Sequence, residues 1–158
     1  MAVTKRFDRE LYDKADKLAK KVITKHLVET GYDVIEEPVR GKIDLVAMHQ
    51  STGDSKYVEV EMKYAWKDTW NETWKDVRIP YRKKKLIDKY TDKDDYGRSC
   101  LDFYVLNYDA TKAWVISADI IEKYGSVVEV SNKYVRKGEQ FYSIPVDKIY
   151  TINLSGDN

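Results

Sequence analysis

The sequence predicts an α/β fold built on a central mixed sheet, and three observations carry that expectation. One long stretch has apolar residues at helical spacing, and three short strand-like runs follow it. A second helical stretch then leads into a β-branched and aromatic run, and further strand-like runs continue to the end of the chain.

Taken in order, Phe7 to Thr30 reads as an amphipathic helix. Leu11, Ala15, Leu18, Ala19, Val22 and Ile23 recur at helical spacing with charges between them, and Gly31 stands as the stop. Tyr32 to Val39 reads as a strand closed by Pro38, Ile43 to His49 as a second, and Lys56 to Tyr64 as a third. The intervening Ser51 to Ser55, STGDS, has hairpin-turn composition. Pro80 to Tyr90 reads as helix and Leu101 to Asn107 as strand. Beyond these, Ala113 to Ile116, Val127 to Val130, Glu139 to Ile144 and Ile149 to Leu154 read as strands that extend the sheet. Ser117 caps a short helix running through Tyr124. A chain of 158 residues with 42% hydrophobic content has enough apolar surface for one domain, residues 1–158.

The chemistry concentrates between Gly41 and Lys67. Strand side chains alternate with period two, so Val58, Val60 and Met62 point to one face while Glu59, Glu61 and Lys63 point to the other. A row of acid, acid and amine is costly on a sheet unless something polar or metallic satisfies it, and Asp44 can supply a further carboxylate. The plain alternative is a solvated strand face with cross-strand ion pairs. A hard cation such as Mg²⁺ or Mn²⁺ needs only one or two protein carboxylates, and Asp44 and Glu61 suit that role. Such a cation activates water and offsets charge on a phosphoryl group, with Lys63 placed to assist. This is the chemistry of phosphodiester hydrolysis.

Asp44 followed by Glu61-Met62-Lys63 resembles the signature of the PD-(D/E)XK nuclease superfamily. The helix, three strands, helix, strand order matches the αβββαβ core of that restriction-endonuclease-like fold. Ile43 stands where relatives usually carry proline. The wording RFDREL, IDLVAM and VEMKYAWKD is similar to archaeal-type Holliday-junction resolvases and small phage nucleases over roughly the first two-thirds of the chain. The resemblance implies that Asp44 and Glu61 are metal ligands, that Lys63 is the catalytic lysine, and that Met62 offers its carbonyl. Resolvases also place a glutamate of the first helix at the metal, a role for which Asp8 and Glu10 both compete here. Glu59 is a further candidate: Glu59-Val60-Glu61 is itself an ExE triplet, so Glu59 as ligand with Glu61 in the lysine's place is an alternative assignment.

The expected partner is DNA. Net charge is +1, so local clusters matter more than the total. Arg78, Arg82, Lys83, Lys84 and Lys85 form a basic segment suited to phosphates or to a solvated helix face. Lys14, Lys17, Lys20, Lys21 and Lys25 line the first helix. Trp66, Trp70 and Trp74, spaced by four, suit core packing first, and otherwise base stacking or a homodimer contact. His26 and His49 read as structural histidines, and Asp92, Asp94 and Asp95 as a solvated loop. A lone Cys100 excludes a disulfide framework and a cysteine zinc site. With no membrane-length apolar run and no signal-peptide core, the expectation is a cytoplasmic protein with no membrane partner. The function expected is a Mg²⁺-dependent DNA endonuclease. Its rivals are a non-catalytic nucleic-acid-binding module on the same scaffold and a nuclease-fold subunit of a larger assembly.

Overall fold

A computed structural model describes residues 9–36, 43–67, 73–94, 96–132 and 135–154. In chain order its elements are α1 (Arg9–Glu29), β1 (Tyr32–Glu36), β2 (Leu45–His49), β3 (Ser55–Met62), β4 (Asp76–Pro80), a 3-10 turn (Tyr81–Lys83), α2 (Lys84–Lys89), β5 (Leu101–Leu106), β6 (Lys112–Ser117), α3 (Ala118–Tyr124), β7 (Ser126–Asn132), β8 (Val135–Pro145) and β9 (Tyr150–Asn153). No helix among them is long and apolar enough to cross a membrane.

Helix α1 ends where the sequence places its stop. Gly31 takes φ +100°, and a Cβ there would meet the His49 ring at 3.0 Å, so both backbone and space call for glycine. The buried stripe of α1 is Ala19, Ile23 and Leu27, flanked by Val22. Leu18, expected in the stripe, is 41% exposed. The hairpin between β2 and β3 closes through Gly53, at φ +75°, whose N–H donates to the His49 carbonyl at 2.9 Å.

The central sheet has six strands in the order β1-β2-β3-β5-β6-β9. Its pairs are antiparallel except β3 with β5, which run parallel with Glu59 opposite Phe103 and Glu61 opposite Val105. A parallel pair needs a long crossover. Here the crossover carries β4, the 3-10 turn and α2 over one face of the sheet. On the other face α1 packs against Leu45, Ala47, Val58, Leu106 and Val115.

Three expectations are corrected. The stretch Pro80 to Tyr90 is not one helix: β4 precedes it, ends at Pro80, and turns through a 3-10 segment into the six-residue α2. Arg78 therefore sits on a strand. The C-terminal strands do not all extend the central sheet. β6 and β9 do, whereas β7 and β8 join β4 in a second sheet of order β4-β8-β7. Finally, the face carrying Glu59 and Glu61 is core as well. Val77, Ile79 and Ile144 of the second sheet pack there against Leu101, Phe103, Val105 and Ile116. A sheet covered on both faces buries even its polar row where the cover is close, and that is how Glu59 comes to be 4% exposed.

The tryptophan spacing does not reflect a helical ridge at its described ends. Trp66 follows a turn and is buried against Trp114 with ring centroids 5.6 Å apart, whereas Trp74 is half-buried just before β4. Trp70 lies outside the described residues. Because Ile79 anchors the second sheet in the core, Ile79→Ala should lower stability by about 2–4 kcal/mol in urea denaturation. An unchanged midpoint would show that the second sheet is not held through this side chain.

Candidate active site

Asp44, Glu59 and Glu61, three of the residues singled out in the sequence, share a cavity near the edge where β2 begins. The β2–β3 ladder runs from Met48–Ser55 to Leu45–Val58 and stops. The next position would pair Asp44 with Glu59, but Asp44 lies in a bend ahead of the strand. Side chains continue the connection there. The Asp44 N–H donates to Glu59 Oε2 at 2.8 Å, and the Val60 N–H donates to Asp44 Oδ2 at 3.0 Å. The strand expected from Ile43 therefore starts at Leu45, because carboxylates have replaced main-chain acceptors.

Glu59 is held on both oxygens, with Lys83 Nζ on Oε1 at 2.7 Å. A buried carboxylate needs such partners, and the charge-assisted bond from Lys83 is the strong one. Glu61, two residues on, has a different setting. It opens to solvent, yet protein surrounds it closely enough that desolvation raises its carboxyl pKa against the opposing pull of Lys83, Arg82 and Lys63.

Asp44, Glu59 and Glu61 line one cavity of about 120 Å³, together with Asp16, Arg82, Lys83 and Tyr104. Burial first, and then the adjacent Glu59 carboxylate, push the Asp44 pKa up to about 6, while the Val60 N–H and Lys20 pull it down. Lys20 Nζ lies 3.0 Å from Asp16 and 3.9 Å from Asp44 Oδ1.

Asp16 escaped the sequence reading, and Lys20 entered it only as one of the lysines lining the first helix. The only signal was position: Asp16 precedes Ala19 and Ile23 by three and seven residues, so it shares their sheet-facing side of α1. Of the two first-helix acids considered, Asp8 lies outside the described residues, as does the side chain of Glu10. Lys63 is not among the residues lining the cavity. Its N–H donates to the Leu106 carbonyl at 2.7 Å, and its ammonium lies 5.3 Å from the Trp74 ring centroid.

The basic segment divides. Arg82 and Lys83 line the cavity. Arg78 pairs with Asp76 at 3.1 Å and Lys84 with Asp88 at 2.6 Å, while Lys85 is exposed. The histidines are packed: His26 lies 6.3 Å from the Tyr104 ring with its pKa lowered by burial, and His49 meets Tyr32 edge-on at 5.0 Å. Asp94 accepts from the Tyr96 and Arg98 N–H groups at 2.9 Å in its loop.

Among the described residues no three carboxylate, imidazole or thiol side chains form a metal cage. Asp44 and Glu61 line one cavity together with Asp16 and Glu59. Asp44 and Glu61 both have raised pKa values, so each gains from a nearby positive charge. A hard divalent cation that takes one or two protein oxygens and fills its remaining positions with water and phosphate oxygens fits this donor set.

This arrangement, a six-stranded mixed sheet with α1 on one face and a second sheet on the other, is consistent with a restriction-endonuclease-like fold. Among solved structures it is similar to Hjc of Archaeoglobus fulgidus, a Holliday junction resolvase from an archaeal hyperthermophile. The TM-score is 0.50, with 10% sequence identity over 84% of this chain and 85% of that one. At that identity the likeness is one of fold. No family model and no curated protein matches the sequence.

The raised Asp44 pKa has a definite sign in stability. Between the ordinary 3.8 and about 6 the folded chain holds a proton that the unfolded chain has lost. Its contribution to stability therefore falls as pH rises through that window. Asp44→Asn should flatten this part of the pH–stability curve in urea titrations, since asparagine can still accept from Val60. An identical slope in wild type and variant would remove Asp44 as its source.

Proposed function

We propose that this chain is a Mg²⁺- or Mn²⁺-dependent DNA endonuclease that selects branched DNA of the four-way-junction type. The observation that carries the reading is the convergence of Asp44 and Glu61 with Arg82 and Lys83 in one cavity, on a fold shared with a Holliday junction resolvase. Acids of raised pKa beside a guanidinium group suit a phosphodiester lying between a cation and the Arg82 side chain, with Lys83 engaged by Glu59.

In this reading Asp44 and Glu61 hold the cation, with Asp16 as the first-helix acid. When bound, the cation supplies a more acidic water and offsets charge on the phosphoryl oxygens. Asp44 contributes Oδ1, because Oδ2 is engaged by Val60. Glu59, bonded on both oxygens, suits support better than ligation, which favours the assignment with Glu61 as ligand and Lys63 as the lysine. Lys63, released from Trp74, orients the attacking water or neutralises the developing anion. Arg82 holds a non-bridging oxygen. The water oxygen forms the new P–O bond, the bridging P–O bond breaks, and the departing oxygen takes up a proton. A homodimer would present two such cavities about a two-fold axis, as symmetric cutting of a junction requires.

One observation favours a second reading, a nucleic-acid-binding module without catalysis: the Lys63 ammonium rests on Trp74 and not in the cavity. Cleavage assays on duplex, single-stranded, flap and four-way-junction DNA with Mn²⁺ distinguish the two. Asp44→Asn and Glu61→Gln should abolish cutting, and Lys63→Ala should slow it by roughly a hundredfold with DNA binding intact. Wild-type protein that binds DNA but cuts none of these substrates would establish the binding module.

The phosphate contacts are tested by salt. If Arg82 and Lys85 touch duplex phosphates, neutralising both should lower the slope of log K against log salt by about 0.9 per lost contact. An unchanged slope would move the DNA-binding face to the lysines of α1.

A further inference from the structure

We propose that Glu59 and Lys83 are positioning residues that fix the direction of the Asp44 carboxylate, and that Lys83 serves this clamp and not a phosphate. The consequence for cleavage rests on the nuclease reading above; the consequence for backbone protection does not.

The geometry is that of a ladder continued by side chains. Past Leu45–Val58, the last pair of β2 with β3, the Asp44 N–H is held by Glu59 Oε2 at 2.8 Å, and the Val60 N–H holds Asp44 Oδ2 at 3.0 Å. The first bond fixes the bend of the main chain. The second fixes the carboxylate, leaving Oδ1 on the side of Lys20 at 3.9 Å. Neither survives unless Glu59 keeps its place, and Glu59 is a buried carboxylate whose second oxygen is satisfied by Lys83 Nζ at 2.7 Å. Lys83 ends the 3-10 turn that follows β4, a strand of the second sheet. The aim of an acid in the bend before β2 of the central sheet is thus set by a side chain whose segment is anchored in the second sheet.

The competing assignment gives Lys83 to a phosphate. That would strip a buried carboxylate of its counter-charge, and breaking one partner of a buried pair is far costlier than replacing both by neutral groups. This asymmetry supplies the test. In Lys83→Met, Glu59 is left buried and unpaired. In the double variant Glu59→Gln/Lys83→Met the buried charges are gone, while the glutamine oxygen can still accept from the Asp44 N–H.

Hydrogen exchange of the Asp44 and Val60 amides, followed by NMR, reads the clamp without reference to activity. Lys83→Met should speed exchange at both amides by about tenfold or more, and the double variant should return it close to wild type. Single-turnover cleavage of a four-way junction should follow the same pattern, about tenfold or more slower in the single variant and restored in the double, with DNA Kd unchanged in both. If the single variant does not fold, the double variant decides alone, since its neutral pair needs no counter-charge. Wild-type exchange at both amides in Lys83→Met overturns the proposal. So does a double variant that stays slow with a raised DNA Kd, which would make Lys83 a phosphate contact. If wild-type protein cleaves none of the substrates, the nuclease reading falls and the exchange measurement still decides the clamp.

Discussion

A carboxylate buried inside a sheet covered on both faces is the constraint around which this molecule is organised. Glu59 lies under the second sheet, on a strand with Phe103 beside it. Burying such a charge bare would cost several kcal/mol, so the surrounding chain must supply donors. It does so from two directions, the Asp44 N–H from the loop before β2 and the Lys83 ammonium from the turn after β4. Central sheet, acid loop and basic segment are joined at one side chain.

The same strand solves a similar problem at its other end. Asp102 of β5 is buried and pairs with Lys56 of β3 at 2.9 Å, and the parallel register that puts Val58 opposite Asp102 brings Lys56 alongside. Burial raises the Asp102 pKa and Lys56 opposes it. The parallel β3–β5 pair therefore carries an internal ion pair near its start and the acid cavity toward its end. Partner removal at either site would leave an uncompensated buried charge.

The cavity combines groups whose ionisation preferences oppose one another. Asp44 and Glu61 are pushed toward the neutral form by desolvation, while Lys20, Arg82 and Lys83 favour the anions. Environments of this kind recur at sites where charged ligands are bound or transformed, and a further cation among the carboxylates would relieve the tension. Tyr104 marks the buried side of the cavity: burial pushes its phenol pKa far up, so it stays protonated across the physiological range.

Much of this was legible in the chain. Gly31 announced the end of α1, the STGDS turn set the hairpin, and alternation in β3 put Glu59 and Glu61 on the face opposite Val58 and Val60. Local signals of this kind survive because turn geometry and period-two alternation act over a few residues. The sequence by itself therefore determined the helix–strand order, the acid-bearing strand and the basic segment that follows it. It could not show that the face bearing those acids is roofed, since the roof is a second sheet that joins β4 to the β7–β8 pair some way further along the chain. Nor could it separate Glu59 from Glu61, identical residues two positions apart, or bring Asp16 to the cavity. Only the tertiary structure separates their environments. It closes one carboxylate under Lys83 and leaves the other open to solvent, and the environment set by long-range packing, not the residue type, fixes what a carboxylate can do.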